Sequence, residues 1–378
     1  MNKILKIVGA SVLVFLLMGA CGNTWQEVGG RGVSDGMVSF CSIERSQDGY
    51  IYVAYKDQFS PPDCVPNPAV GHCGLGEISV IKWDGQDWNP VGEPRFSFPA
   101  SFVSMQLYRD QPLVAFHDTQ VNGQVSVMEF TGESWDYIGG QAGASDDVSY
   151  FVRLYVFQDQ LFVSYIEEGS DMRASLRRWN GAFWEDVGER QFTPGPAHYL
   201  SVQMHNGMLY AAFKDGAQEG RVSVMLLSDG KWNYVGVPGF SLGEADFVNL
   251  TFMNGNPVVA YADYSLGGKL SAMQWNGTVW ISLAEGVSEG VVNQLAVSEL
   301  NGTLFAAFQD IRSEKNATDS ITVMQYSEAK GWQTVGKPLF SGDAVDHVAL
   351  FASESGIFTA FADNSVGNLL SVMRHELP

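Results

Sequence analysis

Seven acidic residues occupy one place in a repeating pattern, and seven hydroxyls follow them. The acids are Asp57, Asp118, Glu167, Asp215, Asp263, Asp310 and Asp363. Each closes a small–aromatic–x–acid segment, as in Ala54-Tyr55-Lys56-Asp57 and Ala260-Tyr261-Ala262-Asp263. The hydroxyls are Ser79, Ser126, Ser175, Ser223, Ser271, Thr322 and Ser371. A ring of carboxylates suggests metal binding or paired-carboxylate hydrolysis. Repetition argues against both, because a catalytic site is usually singular. The stronger reading is a turn lock. Each acid ends one strand, each hydroxyl opens the next, and the two are expected to face each other across a hairpin. The carboxylate would then accept from that hydroxyl and from loop N–H groups.

The histidines are His72, His117, His198, His205, His347 and His375. His198 and His347 precede the first strands of two repeats. With Asp346 they form the one candidate general acid–base group. His117 occupies the slot held by Lys56 and Lys214 and is expected to face solvent. No Gly-Lys-Ser/Thr phosphate loop and no His-Glu-x-x-His zinc helix appears. No residue is therefore assigned a catalytic role, and neither a cofactor nor a metal is expected.

The elements that must position these groups are short strands. Trp25, Trp88, Trp135, Trp184, Trp232, Trp280 and Trp332 recur with a period near 50, which marks a repeat architecture. Each repeat holds four β-branched and aromatic runs. Asn206-Gly207, Asp229-Gly230 and their counterparts separate them, a strong hairpin signal. Four-stranded antiparallel units repeated radially give an all-β, seven-bladed β-propeller. The chain opens on a lone Trp-type strand, Trp25 to Val28, and its last repeat lacks one. That first strand is expected to pair beside Leu370 to Arg374 and close the ring, removing an exposed edge.

Tight turns fall on one face of the disc and longer connections on the other. The long-loop face, near the channel mouth, is the expected binding surface. The largest connection, Gln58 to Gly76, carries Phe59, His72 and the pair Cys64 and Cys73, for which a local disulfide is expected. Zinc fits poorly there, since only His72 lies near the pair. The candidate binding rim is thus Phe59, His72, His117, His198, Asp346 and His347. Cys41 lies in an apolar run and reads as a buried small hydrophobe. The repeated tryptophans read as packing anchors. Trp83, Trp179 and Trp275, at the ends of third strands, are the better candidates for sugar stacking.

Over residues 24–377 the chain resembles the seven-bladed propellers of secreted bacterial repeat proteins. The pieces that carry the resemblance are Ser-Val-Met at Ser126, Ser223 and Ser371, and Trp-x-x-Val-Gly at Trp88, Trp184 and Trp332. Trp280-Ile281-Ser282-Leu283 departs from the second motif. The resemblance implies the fold and no defined activity.

Residues 1–20 read as an export signal. Lys3 and Lys6 precede an apolar run too short to span a bilayer, and Met18-Gly19-Ala20-Cys21 follows. The segment resembles a bacterial lipoprotein signal, which implies cleavage before Cys21, lipidation of its thiol and, in a Gram-negative host, the outer membrane. Residues 21–24 would be a tether reaching roughly 10 Å, and residues 25–378 the propeller. Removing residues 1–20 leaves 20 basic and 42 acidic residues, a formal charge of −22. Such a surface repels phosphate backbones, so nucleic acid is not an expected partner. The expectation is a monomeric, lipid-anchored cell-envelope module that binds or scaffolds protein or glycan through its long-loop face. The alternative is a glycoside hydrolase or polysaccharide lyase acting at the channel mouth.

Overall fold

The computed structural model describes residues 24–59, 76–313 and 318–377. Cys21, His72, Cys64 and Cys73 lie outside them, and with them the lipidation and disulfide expectations. The described chain forms seven four-stranded antiparallel sheets. Blade 1 runs Met37–Arg45, Ile51–Gln58, Glu77–Trp83 and Trp88–Pro90. Blades 2 to 6 repeat that order with inner strands Ala100–Tyr108, Ser149–Phe157, Ala197–His205, Ala245–Met253 and Val291–Leu300. Blade 7 comprises Val345–Ser353, Gly356–Asp363 and Leu369–His375, completed by Gln26–Glu27. Gln26 pairs with Arg374 and Glu27 with Met373, so the expected ring closure is present.

Position within the blade explains composition. Second strands are buried on both faces and are nearly continuous apolar runs, as in Ile51–Gln58. Inner strands line the axial channel and are half-buried; outer strands are short and exposed. The core consists of the seams between blades. One cluster joins Tyr52, Ile78 and Val80 of blade 1 to Met105, Val114 and Phe116 of blade 2. Another joins Val53 and Tyr55 of blade 1 to Phe358 and Val372 of blade 7.

The repeated tryptophan latches six of the seven seams. Trp135 Nε1 donates to Val91 O at 2.8 Å, Trp88 to Val28 O at 2.9 Å and Trp280 to Val235 O at 2.8 Å. Trp25, Trp232 and Trp332 make the same bond to the preceding blade. The valine supplies the carbonyl, and the glycine gives the ring room. Gly92 has φ +71°, and a Cβ there would stand 2.8 Å from Phe130 and 3.1 Å from Trp135. Leu283 O replaces the valine carbonyl where the motif departs. Trp83, Trp179 and Trp275 pack half-buried against Trp88, Trp184 and Trp280, with centroids 5.5, 5.5 and 5.7 Å apart. They belong to the seams, not to an open stacking platform.

The acids form a turn lock, with a register different from the expected one. The hydroxyl pairs with the aromatic residue two positions before the acid: Tyr55 with Ser79, Phe213 with Ser223, Phe361 with Ser371. It therefore lies on the acid's side of the strand and reaches it diagonally. Ser79, Ser223, Thr322 and Ser371 donate to Asp57, Asp215, Asp310 and Asp363 at 2.7–2.9 Å. All seven acids are at most 1 % exposed. In Asp118, Asp215, Asp263 and Asp363 a carboxylate oxygen also caps a short 3-10 turn, as when Asp215 Oδ1 accepts from Ala217 N at 3.0 Å. These turns make the second-to-third connection only five residues long in blades 2, 3, 4, 5 and 7. Most of the length on that face therefore lies in the blade-to-blade linkers. Each linker carries its own hydroxyl, such as Ser97, Thr193 or Ser241, which accepts from a third-strand N–H. In blades 1 to 6 this second set follows the third-strand hydroxyl by 17–19 residues in the sequence, and in blade 7 Ser34 takes the place.

Candidate functional site

The inner strands all break register near their starts, between Ser39 and Ser42 in blade 1 and at matching places in the other six. A bulge inserts one residue and re-aims a side chain. That residue is left-handed in every blade: Phe40, Phe102, Phe151, Tyr199, Phe247, Gln294 and His347 have φ between 49° and 55°. Bulky side chains rarely adopt this region. Such strain persists only where its surroundings impose it, and it concentrates at functional sites.

The consequence is a collar of rings around the channel. His347 lies 4.8 Å from Phe40, Phe40 5.1 Å from Phe102, Phe102 5.5 Å from Phe151, Phe151 5.3 Å from Tyr199, and Tyr199 5.0 Å from Phe247. Gln294 of blade 6 interrupts the circle with an amide. The bulges lie at the strand ends nearest the linkers, so the collar sits at the long-linker mouth. It lines a channel cavity of about 660 Å³ walled by all seven inner strands.

Below the collar the wall is tied across the seams. Ser42 Oγ accepts from Met105 N at 3.1 Å, Ser104 from Leu154 N at 3.0 Å and Ser201 from Leu250 N at 3.0 Å. Where blade 3 places Arg153 instead of serine, Tyr155 OH takes over and accepts from Val202 N at 3.0 Å. Cys41 closes the last seam by donating its thiol to His347 O at 2.5 Å. Burial pushes that thiol up to about 12, so it stays protonated and inert. Glu44 is the one carboxylate among the described lining residues, and Arg153 the one guanidinium.

Gln106 Nε2 donates to Glu44 Oε1 at 2.6 Å. Burial raises the Glu44 carboxyl to about 8, against the smaller opposing pull of that bond. The group is mostly protonated at neutral pH. A carboxyl raised on folding binds its proton more tightly in the folded state. Its contribution is whole below the unfolded value near 4.5 and is lost as pH rises through about 8. Glu44→Gln should therefore flatten the decline in melting temperature between pH 5 and 9 by removing this term, as read by thermal denaturation across that range. An unchanged decline would contradict the assignment.

His347 is a member of the collar. Burial and Lys56 lower its pKa against the pull of Asp346, so the imidazole is neutral. Asp346, one residue before, is exposed. His198 sits edge-on to Phe151 at 5.8 Å and is likewise lowered by burial and Lys214. His117 is half-buried, contrary to the expectation of a solvent-facing side chain; its Nδ1 donates to Ser149 O at 2.9 Å and its ring stacks on Tyr150. Phe59 lies under the Arg95 guanidinium at 4.6 Å, on the first-blade side of the same face. His117 and His198 thus flank the collar that His347 helps to form. The collar's phenylalanines escaped the sequence reading. Their own phase, 48 or 49 residues from Phe102 through Phe247, was the available signal.

No protein-family model matches the sequence, and no curated protein matches it. Solved structures do match in fold. A protein of unknown function from Dyadobacter fermentans superposes with a TM-score of 0.53 at 11% identity, covering 94% of this chain and 98% of that one. A substituted form of the Aleuria aurantia lectin in complex with Fucα1-6GlcNAc gives 0.50 at 14% identity, covering 79% of this chain and 97% of the lectin. Both likenesses concern the propeller fold.

Proposed function

We propose that the chain is a binding module of the bacterial cell envelope that holds a neutral glycan at its aromatic collar. The collar itself carries the reading. Six rings and one amide converge on a concave, partly polar mouth, the composition of a small-ligand site. Aromatic faces suit the apolar faces of sugar rings, and the protonated Glu44 with Gln106 adds neutral hydrogen-bonding groups deeper in the channel. The lectin named above is one propeller whose bound ligand is a fucosylated saccharide. Anchoring through a lipidated Cys21 would hold the disc within about 10 Å of the membrane. An envelope protein docking on the same face is the competing partner.

The hydrolase reading is less favoured. Retaining hydrolysis needs two carboxyls about 5 Å apart, and the described cavity lining offers Glu44 alone. A panel of neutral oligosaccharides, including Fucα1-6GlcNAc, presented to the full chain tests the proposal. We expect retention of at least one saccharide, weakened about tenfold or more by Phe151→Ala, with melting behaviour near that of the parent. Absence of saccharide retention, or retention indifferent to Phe151→Ala and Phe102→Ala alike, would overturn it.

A further inference from the structure

Six of the seven buried acids receive a hydrogen bond or ion pair from an arginine or a tyrosine. Arg95 reaches Asp57 at 3.3 Å, Arg190 reaches Glu167 at 2.7 Å, Arg312 reaches Asp310 at 2.7 Å and Arg31 reaches Asp363 at 3.2 Å. Tyr137 and Tyr234 donate to Asp118 and Asp215 at 3.1 and 2.9 Å. Asp263 of blade 5 differs. Its Oδ1 is engaged by Ser265 N at 2.9 Å and Ser265 Oγ at 2.6 Å, but its Oδ2 has no hydrogen-bond partner, although the residue is 1 % exposed. Asp57 Oδ1 also lacks a partner, but the Arg95 guanidinium lies 3.3 Å from its Oδ2; Asp263 alone has an orphan oxygen and no arginine or tyrosine. In Asp57, Asp215, Asp310 and Asp363, Oδ2 is the oxygen that takes the arginine, tyrosine or hydroxyl.

The linkers can be aligned by the N–H that each third-strand hydroxyl accepts. That N–H belongs to Gln191 in blade 3, Gly32 in blade 7 and Gly286 in blade 5. The preceding residues are Arg190, Arg31 and Glu285. Blade 5 therefore places a carboxylate where two other blades place the guanidinium that holds the acid. Both Asp263 and Glu285 act on the Tyr261 phenol, raising its pKa beyond what burial alone does, so both lie within electrostatic range of one hydroxyl.

A buried carboxylate oxygen without a donor, on a turn whose linker carries the exposed Glu285 where two other blades carry arginine, is best satisfied by a positive charge. We infer that blade 5 holds a hard cation, with Asp263 Oδ2 and the Glu285 carboxylate as its charged ligands. Oxygen donors alone favour Ca²⁺. Two protein carboxylates completed by water give a weak site, of the order of 0.1–1 mM, the range of extracellular calcium modules. The ion performs in blade 5 the task of Arg190 and Arg31, fastening the linker to the turn. This site is independent of the collar and of the glycan reading.

The full chain is stripped with chelator and titrated with Ca²⁺, with melting temperature as one readout and Tb³⁺ luminescence sensitised by Tyr261 as the other. We expect melting to rise by about 2 °C or more at saturation. Glu285→Arg should raise the chelated protein to at least the Ca²⁺-loaded level, abolish further response to Ca²⁺ and quench Tb³⁺ luminescence. Asp263→Asn should also lose the luminescence. Glu133→Gln, at an exposed turn of blade 2, should change neither readout. No Ca²⁺ response in the parent protein would overturn the site. So would a response and luminescence that survive Glu285→Arg, which would mark diffuse binding by an acidic surface.

Discussion

Trp135→Ala should cost about 3–5 kcal/mol of folding stability, the largest loss expected from any single truncation in the disc. Trp135 is 8 % exposed and stacks on Phe96 with centroids 4.1 Å apart and planes 6° from parallel. Its Nε1 also satisfies Val91 O across the seam. Truncation leaves a cavity between two blades and an unpaired carbonyl. Trp135→Phe separates the two effects. It keeps an aromatic surface against Phe96 and loses the hydrogen bond, for roughly 1 kcal/mol plus the lost packing. Equilibrium denaturation in urea provides the measurement. A loss below about 1 kcal/mol for the alanine variant would mean that the tryptophans are not the seam latches described above.

Asp215→Ala should cost about 3 kcal/mol, through polar groups instead of a void. One carboxylate, 0 % exposed, accepts from Ala217 N, Ser223 Oγ and Tyr234 OH at 3.0, 2.7 and 2.9 Å. Removing it strands three donors in a buried site, and stranding costs more than the net gain of forming such bonds. Tyr234 supplies an internal check. Burial and the Asp215 carboxylate hold its phenol well above the ordinary tyrosine range. The variant should shift that phenol downward in an ultraviolet pH titration and melt earlier in the same sample. Unaltered melting would refute the turn lock.

Much of this architecture is legible in the chain. Hairpin turns such as Asn206-Gly207 require residues that tolerate a left-handed backbone, so they announce themselves by type. Tryptophan announces itself by rarity, and the absence of a final Trp strand after His375 pointed to Gln26–Glu27 as its replacement. The collar was hidden for the opposite reason. Phe40, Phe102 and Phe151 take positive φ because a bulge imposes it, against the preference of the residue type. Nothing in a run such as Ser101-Phe102-Val103 distinguishes that from an ordinary strand. The diagonal approach of Ser223 to Asp215 was hidden too, because hairpin register depends on the intervening turn, Gly216–Gln218. The seam bonds of the channel wall change partner from blade to blade, from Ser42 to Tyr155 to Cys41. A pattern search by residue type passes over a role so distributed.

The pairing of Gln26–Glu27 with Leu369–His375 has a kinetic meaning. Leu370 N donates to Ser34 Oγ across 336 residues of chain. Contacts so remote in sequence form late, since the intervening loop must first lose its freedom. As the polypeptide emerges from its amino end, blades 2 to 6 can stack in turn, while blade 1 waits with one flank bare. Only the last blade to arrive covers it. Until then the intermediate displays apolar surface and unpaired strand edges, the condition in which molecules associate with one another. The slowest step of assembly should accordingly be the sealing of that single joint, and any escort that prevents clumping would act on the open crescent.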